Sequence, residues 1–525
     1  MWTWIAVLSV IVLATLAIAA VIVVHRAVPI VKARITETLS ARFHGRVELD
    51  SLNVSALPEV EVSGDGLRIY PPDGVVAAGA TQPLIAVGHF SFQAGPIGLL
   101  VKPTHVRTVQ VTGLQITIPP HEMWQQVSEK AEKHGGKIGI AVDEIVCDRS
   151  RLIIGTSKPD KDPKDFELKH IELHNVGPNR PWHYDAAITN AIPRGDIHAA
   201  GFFGPWQADS PGDSAVSGHY TFDHADLNTI KGIGGILSSV GDFQGQLDRI
   251  AIDGTTETPD FSLDTANHPL PLHTHFHAFV DGINGDTSLD SIEADLRGSK
   301  FTTKGSVIDL KGRGHAIDLD IDVPQGQIQD FLDLAVQTQP AVMTGTVGSK
   351  AKLHIRPGKE RVVEKLSLKG NFTLQQIHFT NPQVQDKVDM MSLRARGKPK
   401  EAKPGAEDVN SHMSGTFDLN DAVMRFRDLD YVLPGARVNL GGIYSLDGQQ
   451  FDFHGTVRTA VSLSQMVDSP WLSFLLKAAR PFFGKKGGGA EIPVHISGTK
   501  SAPKFGLDVL HGHSDSGEAA GDRKH

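Results

Sequence analysis

The chain has 525 residues, 40% of them hydrophobic, and carries 51 Lys and Arg against 60 Asp and Glu, a formal charge of −9. This balance excludes a wholly disordered chain, a coiled coil and a polytopic membrane protein, and the lack of a basic excess excludes nucleic acid as the main partner. The single cysteine, Cys147, excludes an intramolecular disulfide framework and a structural CxxC zinc site; it sits in an alternating apolar run and reads as a small strand residue.

Trp2–Val24, WTWIAVLSVIVLATLAIAAVIVV, holds no charged residue. At about 1.5 Å per residue it is long enough to cross a hydrocarbon core of ~30 Å, with Trp2 and Trp4 at one interface. Ala17-Ile18-Ala19 resembles a cleavage site, but the apolar run continues beyond it and no basic segment precedes it. An uncleaved anchor over residues 1–25 is therefore expected. Arg26, Lys32 and Arg34 follow it, so the flanking charges favour a cytoplasmic body, a bias that long translocated domains override. Val31, Ile35, Leu39 and Phe43 recur at i, i+4 and predict a juxtamembrane amphipathic helix within 26–45, ended by Gly45.

From 46 to 461 the dominant period is two. Ile317, Leu319, Ile321 and Val323 alternate with Asp318, Asp320 and Asp322, which predicts a strand with one apolar face and one row of carboxylates. A solvated strand face explains that row better than a calcium site, because no Gly-centred loop orders the carboxylates around an ion. A second pattern, apolar, two mostly polar residues, apolar, any, apolar, begins at Leu49, Val106, Val142, Leu168, Leu247, Leu289, Leu374 and Leu419. Two consecutive polar residues break strict alternation as a bulge, bend or tight turn does. The irregular spacing predicts a diverged array of strand-turn-strand units, and not a fixed-period solenoid. The excess of glycine (53) and proline (30) belongs to many turns.

Helices are expected at Leu227–Val240, at Gln325–Val336 and over Pro382–Met391, with loops at Lys158–Lys164 and Lys398–Asp408. A hydrophobic helix and Gly-rich linker occupy 462–489: Ser462–Phe483, broken by Pro470, is too short and too charged to span a membrane and is expected to pack over the end of the sheet. Closing strands follow over 490–510 and a disordered tail over 511–525. The fold class is thus mainly β: a single transmembrane helix, then an elongated, curled amphipathic β-sheet (a β-trough) with a few short helices. A ribbon of about 20–24 strands at ~4.8 Å spacing sets its extent.

Chemistry is scarce. No HExxH, Walker A or GxSxG motif occurs, and no carboxylate pair stands out for acid–base work. His273, His275 and His277 (HTHFH) line up on one strand face at a spacing a metal could use, but without a fourth ligand they read as polar outward residues. His511 and His513 lie in the tail. No catalytic residue, cofactor or metal ligand is assigned, and an enzyme is not expected.

Several segments resemble the AsmA-like family: the closing segment AEIPVHISGTKSAPKFGLDV (Ala490–Val509), the central strands between Thr258 and Val307, and the N-terminal block LSARFHGRVELDSLNVSALPEVEVSGDGLRIYPP behind the anchor. The family is similar to the TamB-type bridge-like lipid-transfer proteins, and the likeness is spread over most of the chain. It implies a trough with an apolar inner and a polar outer face, a bacterial inner-membrane anchor through residues 2–24 and a periplasmic body. The implied function is phospholipid transport between inner and outer membrane, with phospholipid acyl chains as partners and further envelope proteins as possible ones. The family supplies no catalytic residues. The alternative is an assembly or scaffold factor for outer-membrane proteins or envelope complexes that carries no lipid.

Overall fold

The computed structural model describes residues 28–119, 140–467 and 489–507, apart from residues 44, 56–59, 73–75, 78, 96–103, 156–162, 178–179, 208–209, 311–313, 338, 359, 447–449 and 500–501. The expected anchor, most of the apolar segment after Ser462 and the tail lie outside the described residues. None of the described helices is long and apolar enough to cross a membrane.

The chain divides into two compact units. The first takes residues up to Ile230, with Gly234–Pro259 and His273–Asp290; the second takes Lys231–Ile233, Asp260–Leu272 and everything from Ser291. The first unit begins with helix α1 (Val28–Phe43), then β1 (Gly45–Glu48), β2 (Ser51–Ser55), β3 (Val60–Pro72), β4 (Ile85–Ala94) and β5 (Thr104–Ile118). It continues with β6 (Ile140–Ile154), β7 (Lys164–Val176), β8 (Trp182–Ala191), β9 (Arg194–Phe203) and β10 (Ala215–Asp226). After the two-residue β11 (Ile233–Gly234) comes β12 (Ile236–Gln246). β13 (Arg249–Leu263), β14 (Leu270–Val280) and β15 (Thr287–Leu296) contribute residues to both units.

The second unit holds β16 (Ser299–Leu310), β17 (Gly314–Gln327), helix α2 (Ile328–Ala335), β18 (Met343–Ile355) and a single turn, α3 (Val362–Lys365). β19 (Leu366–Phe379), helix α4 (Pro382–Ala395), β20 (Ser411–Asn420) and β21 (Val423–Leu433) follow. β22 (Ala436–Ser445), β23 (Phe451–Thr459), β24 (Glu491–Thr499) and β25 (Ala502–Leu507) complete it. The strands hydrogen-bond into one sheet of 25.

Pairing is mostly that of a meander, because short turns between amphipathic strands place sequence neighbours side by side. In the second unit every strand from β16 to β25 pairs antiparallel with the next. In the first unit β1 and β2 share β3 as partner, β3 to β10 pair in order and antiparallel except β5–β6, and β12 lies antiparallel between β10 and β13. The β5–β6 pair is parallel, in register from Thr104↔Ile140 to Ile118↔Ile154. A parallel pair needs a connection of a dozen residues or more, which the chain between Ile118 and Ile140 provides.

The segment expected to be helical at Leu227–Val240 is not: a 3-10 turn at Leu227–Thr229 leads straight into β11 and β12. Gly232 and Gly235 adopt φ of 98° and 119°, which a right-handed helix excludes, and the backbone of Ile236–Gln246 is taken up by β10 and β13. The other two helices form, at Ile328–Ala335 and Pro382–Ala395. The latter starts with Asn381 accepting from the Gln383 amide and Pro382 in its first turn.

The recurring two-polar pattern has two outcomes. At Leu168 and Leu374 the ladder shifts register and the strand continues past a bulge. At Leu247 and Leu419 it is the tight turn itself, closed by Gln246↔Arg249 and Asn420↔Val423.

Candidate functional site

In the second unit, cross-strand register lines the apolar residues up in rows. One row runs Leu319, Leu353, Leu368, Leu419, Met424, Tyr444 and Phe451 from β17 to β23. The next runs Ile321, Ala351, Gly370, Phe417, Phe426, Gly442, Phe453 and Ile496 from β17 to β24. Phe372, Phe417, Phe426 and Phe453 form a chain of ring contacts with centroids 5.9–6.3 Å apart. Apart from the buried Leu419, the residues of both rows are only half-buried.

Covered and uncovered parts of this face are distinct. Near one end of the strands, Ile328 and Phe331 of α2 pack on Val323, Val347, Leu374 and Ile377. Val388, Met391 and Ala395 of α4 pack with Leu433, Val438 and Val457. Both helices spend their apolar stripe on that end. The described residues contain no second sheet to cover the rest.

The first unit has the same organisation. Its row Val62, Phe92, Val109, Ile145, Leu173, Tyr184, Gly201, Gly218, Phe243 and Ile252 crosses β3 to β13. The row begins in a closed core: Leu39 of α1 is fully buried among Val62, Leu67, Phe90, Phe92, Val109 and Ile145. From Leu173 onward the same row is half-buried. Further along, rings lie over glycines. A Cβ on Gly218 would stand 2.5 Å from Tyr184 Oη and 3.0 Å from Phe243 Cζ, and one on Gly254 2.9 Å from Phe276 Cζ. The glycines thus leave space that the tips of neighbouring aromatic rings fill.

The hydroxyls of Tyr184, Tyr220 and Tyr431 are satisfied within these faces, whereas Thr303, opposite Ile321, holds a buried Oγ1 with no hydrogen-bond partner among the described residues. Tyr184 Oη donates to the Ser217 carbonyl at 3.3 Å, Tyr220 Oη lies 3.0 Å from Ser239 Oγ, and Tyr431 Oη donates to Ser411 Oγ at 3.0 Å. Burial pushes the Tyr184 phenol up to about 12 and those of Tyr220 and Tyr431 in the same direction. Cys147 packs against the first core, and burial raises its thiol to about 12.

The opposite face carries ion pairs. Asp318, Asp320 and Asp322 each take one cross-strand partner, His354 at 2.6 Å, Lys352 at 2.6 Å and Lys350 at 2.7 Å. They do not converge on a common point, as the reading of a solvated face expects. His273 pairs with Glu257 at 2.6 Å and His277 with Asp253 at 2.7 Å, so these two histidines each meet a separate carboxylate. Among the described residues the groups able to hold a metal are instead Asp452, His454 and His495, and Glu144, Glu172 and His174. Sequence reading missed both, because each assembles across strands and only the short Asp452-Phe453-His454 and Glu172-Leu173-His174 spacings hint at them. No family model, curated protein or solved structure matches this chain.

Proposed function

We propose that the chain is a membrane-anchored, periplasmic lipid-handling protein that moves phospholipid between inner and outer membrane, acyl chains lying on the apolar sheet face and headgroups staying in water. The observation that carries this reading is the continuity of half-buried apolar rows across strand after strand, with α1, α2 and α4 covering only parts of them. Full burial of hydrocarbon is worth about 0.8 kcal/mol per methylene, so a single chain on an open face binds reversibly, as transfer requires. The hydroxyls of Tyr184, Tyr220 and Tyr431 are already engaged within the sheet, which suits a ligand that makes no hydrogen bonds. The anchor and the periplasmic setting rest on Trp2–Val24 and on the resemblance to the AsmA-like family.

Photo-crosslinking in cells tests this. A benzophenone side chain at Phe372 or Phe426 is expected to capture phospholipid, and one at Lys352 on the opposite face is not. Labelling confined to protein would favour the assembly-factor role. Equal lipid labelling from both faces would sink the groove.

A further inference from the structure

Outward histidines in this protein usually meet one carboxylate each across a strand pair, as His89 does with Asp65, His219 with Asp242 and His354 with Asp318. The β23–β24 pair breaks that habit. His454 and His495 are directly opposed in register, and their rings stack in parallel, 4.1 Å apart with an interplanar angle of 10°. Both converge on one carboxylate: Asp452 Oδ1 lies 2.6 Å from His495 Nε2 and 3.3 Å from His454 Nε2. Asp452 precedes His454 by two residues, so strand alternation puts it on the same face.

The neighbouring strands leave this cluster room. Gly441 of β22 stands opposite His454, and Gly506 of β25 stands opposite His495. The register row therefore reads Gly, His, His, Gly, and neither flanking strand has a side chain directly opposite the rings. The three groups are half-exposed, with 36% of each histidine side chain and 43% of that of Asp452 accessible.

We propose that Asp452, His454 and His495 bind a divalent transition-metal ion of the zinc class, through Nε2 of each imidazole and one carboxylate oxygen, with water in the remaining position. Zinc bonds of about 2.0–2.1 Å in a tetrahedron hold their donor atoms about 3.3 Å apart. The 3.3 Å separation of Asp452 and His454 already meets that spacing, the 2.6 Å contact to His495 opens by less than an ångström, and the two rings turn out of their parallel stack to aim both Nε2 lone pairs at the ion. Two imidazoles select against calcium and magnesium, which take oxygen ligands. Glu144, Glu172 and His174 form a weaker set: one imidazole with two carboxylates, in which Glu172 already meets His174 at 2.7 Å and His170 at 3.6 Å. An ion at Asp452 would clip together two strands whose connection runs over residues 460–490, holding the closing strands on the sheet.

The test uses the full chain in detergent, stripped of metal, with His511→Ala and His513→Ala to remove the tail imidazoles. Titration of zinc against a chromogenic chelator is expected to find one tight site per chain. His495→Ala should weaken it at least about 100-fold and Asp452→Asn at least about 10-fold. On the unmutated chain, one equivalent of zinc should protect His454 and His495 from diethyl pyrocarbonate, read peptide by peptide by mass spectrometry, which needs no variant to fold. A tight site that survives His495→Ala, protection that falls on His174 instead, or no tight site at all overturns the proposal.

Discussion

Phe372 on β19 and Phe426 on β21 meet edge to face, centroids 6.2 Å apart, across the strand that carries Gly415 between them. A residue with a side chain at position 415 would push its Cβ to 3.3 Å from the Phe372 ring and 2.6 Å from the Asp428 carbonyl. The contact thus depends on three strands keeping one register, and it lies in the half-buried part of the apolar face.

A charge placed there separates a lipid surface from a closed core. Phe426→Glu is expected to abolish phospholipid capture while far-UV circular dichroism and the melting temperature stay close to those of the parent chain, because the side chain is already partly accessible to solvent. Loss of the folded signal in this variant would mean that the face is a core.

Ser299 carries a local stability prediction. Its hydroxyl donates to the buried Asp330 at 2.5 Å and accepts from the Gln327 amide at 2.8 Å, joining β16 to the start of α2. Ser299→Ala removes a donor from a buried carboxylate and is expected to cost about 1–3 kcal/mol. Faster amide exchange over Ile328–Ala335 would report it.

Asp389 points the other way. Burial raises its carboxyl above the ordinary aspartate range, although the Val409 amide and Gln385 donate to it. With the folded pKa above the unfolded one, the folded state binds more protons, so stability falls as pH rises between the two values. Asp389→Asn should therefore melt higher than the parent at pH 7, and the difference should shrink as pH falls toward 4. A constant difference across that range would contradict it.

His170 shares that pH dependence, but here it is the charged form that the fold favours. Its hydrogen bond to Asp148 at 2.6 Å raises its pKa, with Glu172 adding to the effect. A raised histidine pKa contributes stability that is present below the unfolded value and lost as pH rises through the folded one. His170→Gln is expected to lower the melting temperature at pH 5.5 and leave it unchanged at pH 8.5.

The turn between β20 and β21 is strained in a way that a single change relieves. Asp421 and Ala422 have φ of 49° and 61°, the pair of left-handed residues a two-residue hairpin prefers. Alanine has no side-chain reason to sit there, and Ala422→Gly should stabilise the hairpin by up to about 1 kcal/mol, measured as slower amide exchange over Ser411–Leu433.

Much of the fold follows from the sequence, for a local reason. Alternation of apolar and polar residues decides which face each side chain takes, so Ile317–Val323 reads as a half-buried strand without reference to its neighbours. Capping residues such as Asn381 and Pro382 likewise announce their helix. What fails is whatever needs a partner. Leu227–Val240 has helix-compatible spacing, yet β10 and β13 take up its hydrogen bonds. Leu168 and Leu419 open the same six-residue pattern, and only the strand opposite decides that one is a bulge and the other a turn.

Periodicity by itself called for an amphipathic sheet. The tertiary structure decided how that sheet is used: which apolar rows α1, α2 and α4 cover, which stay half-buried, and which histidines share a carboxylate. His454 and His495 lie far apart in sequence, and cross-strand register alone stacks their rings. Register is set by hydrogen bonds between strands, and no single strand encodes it.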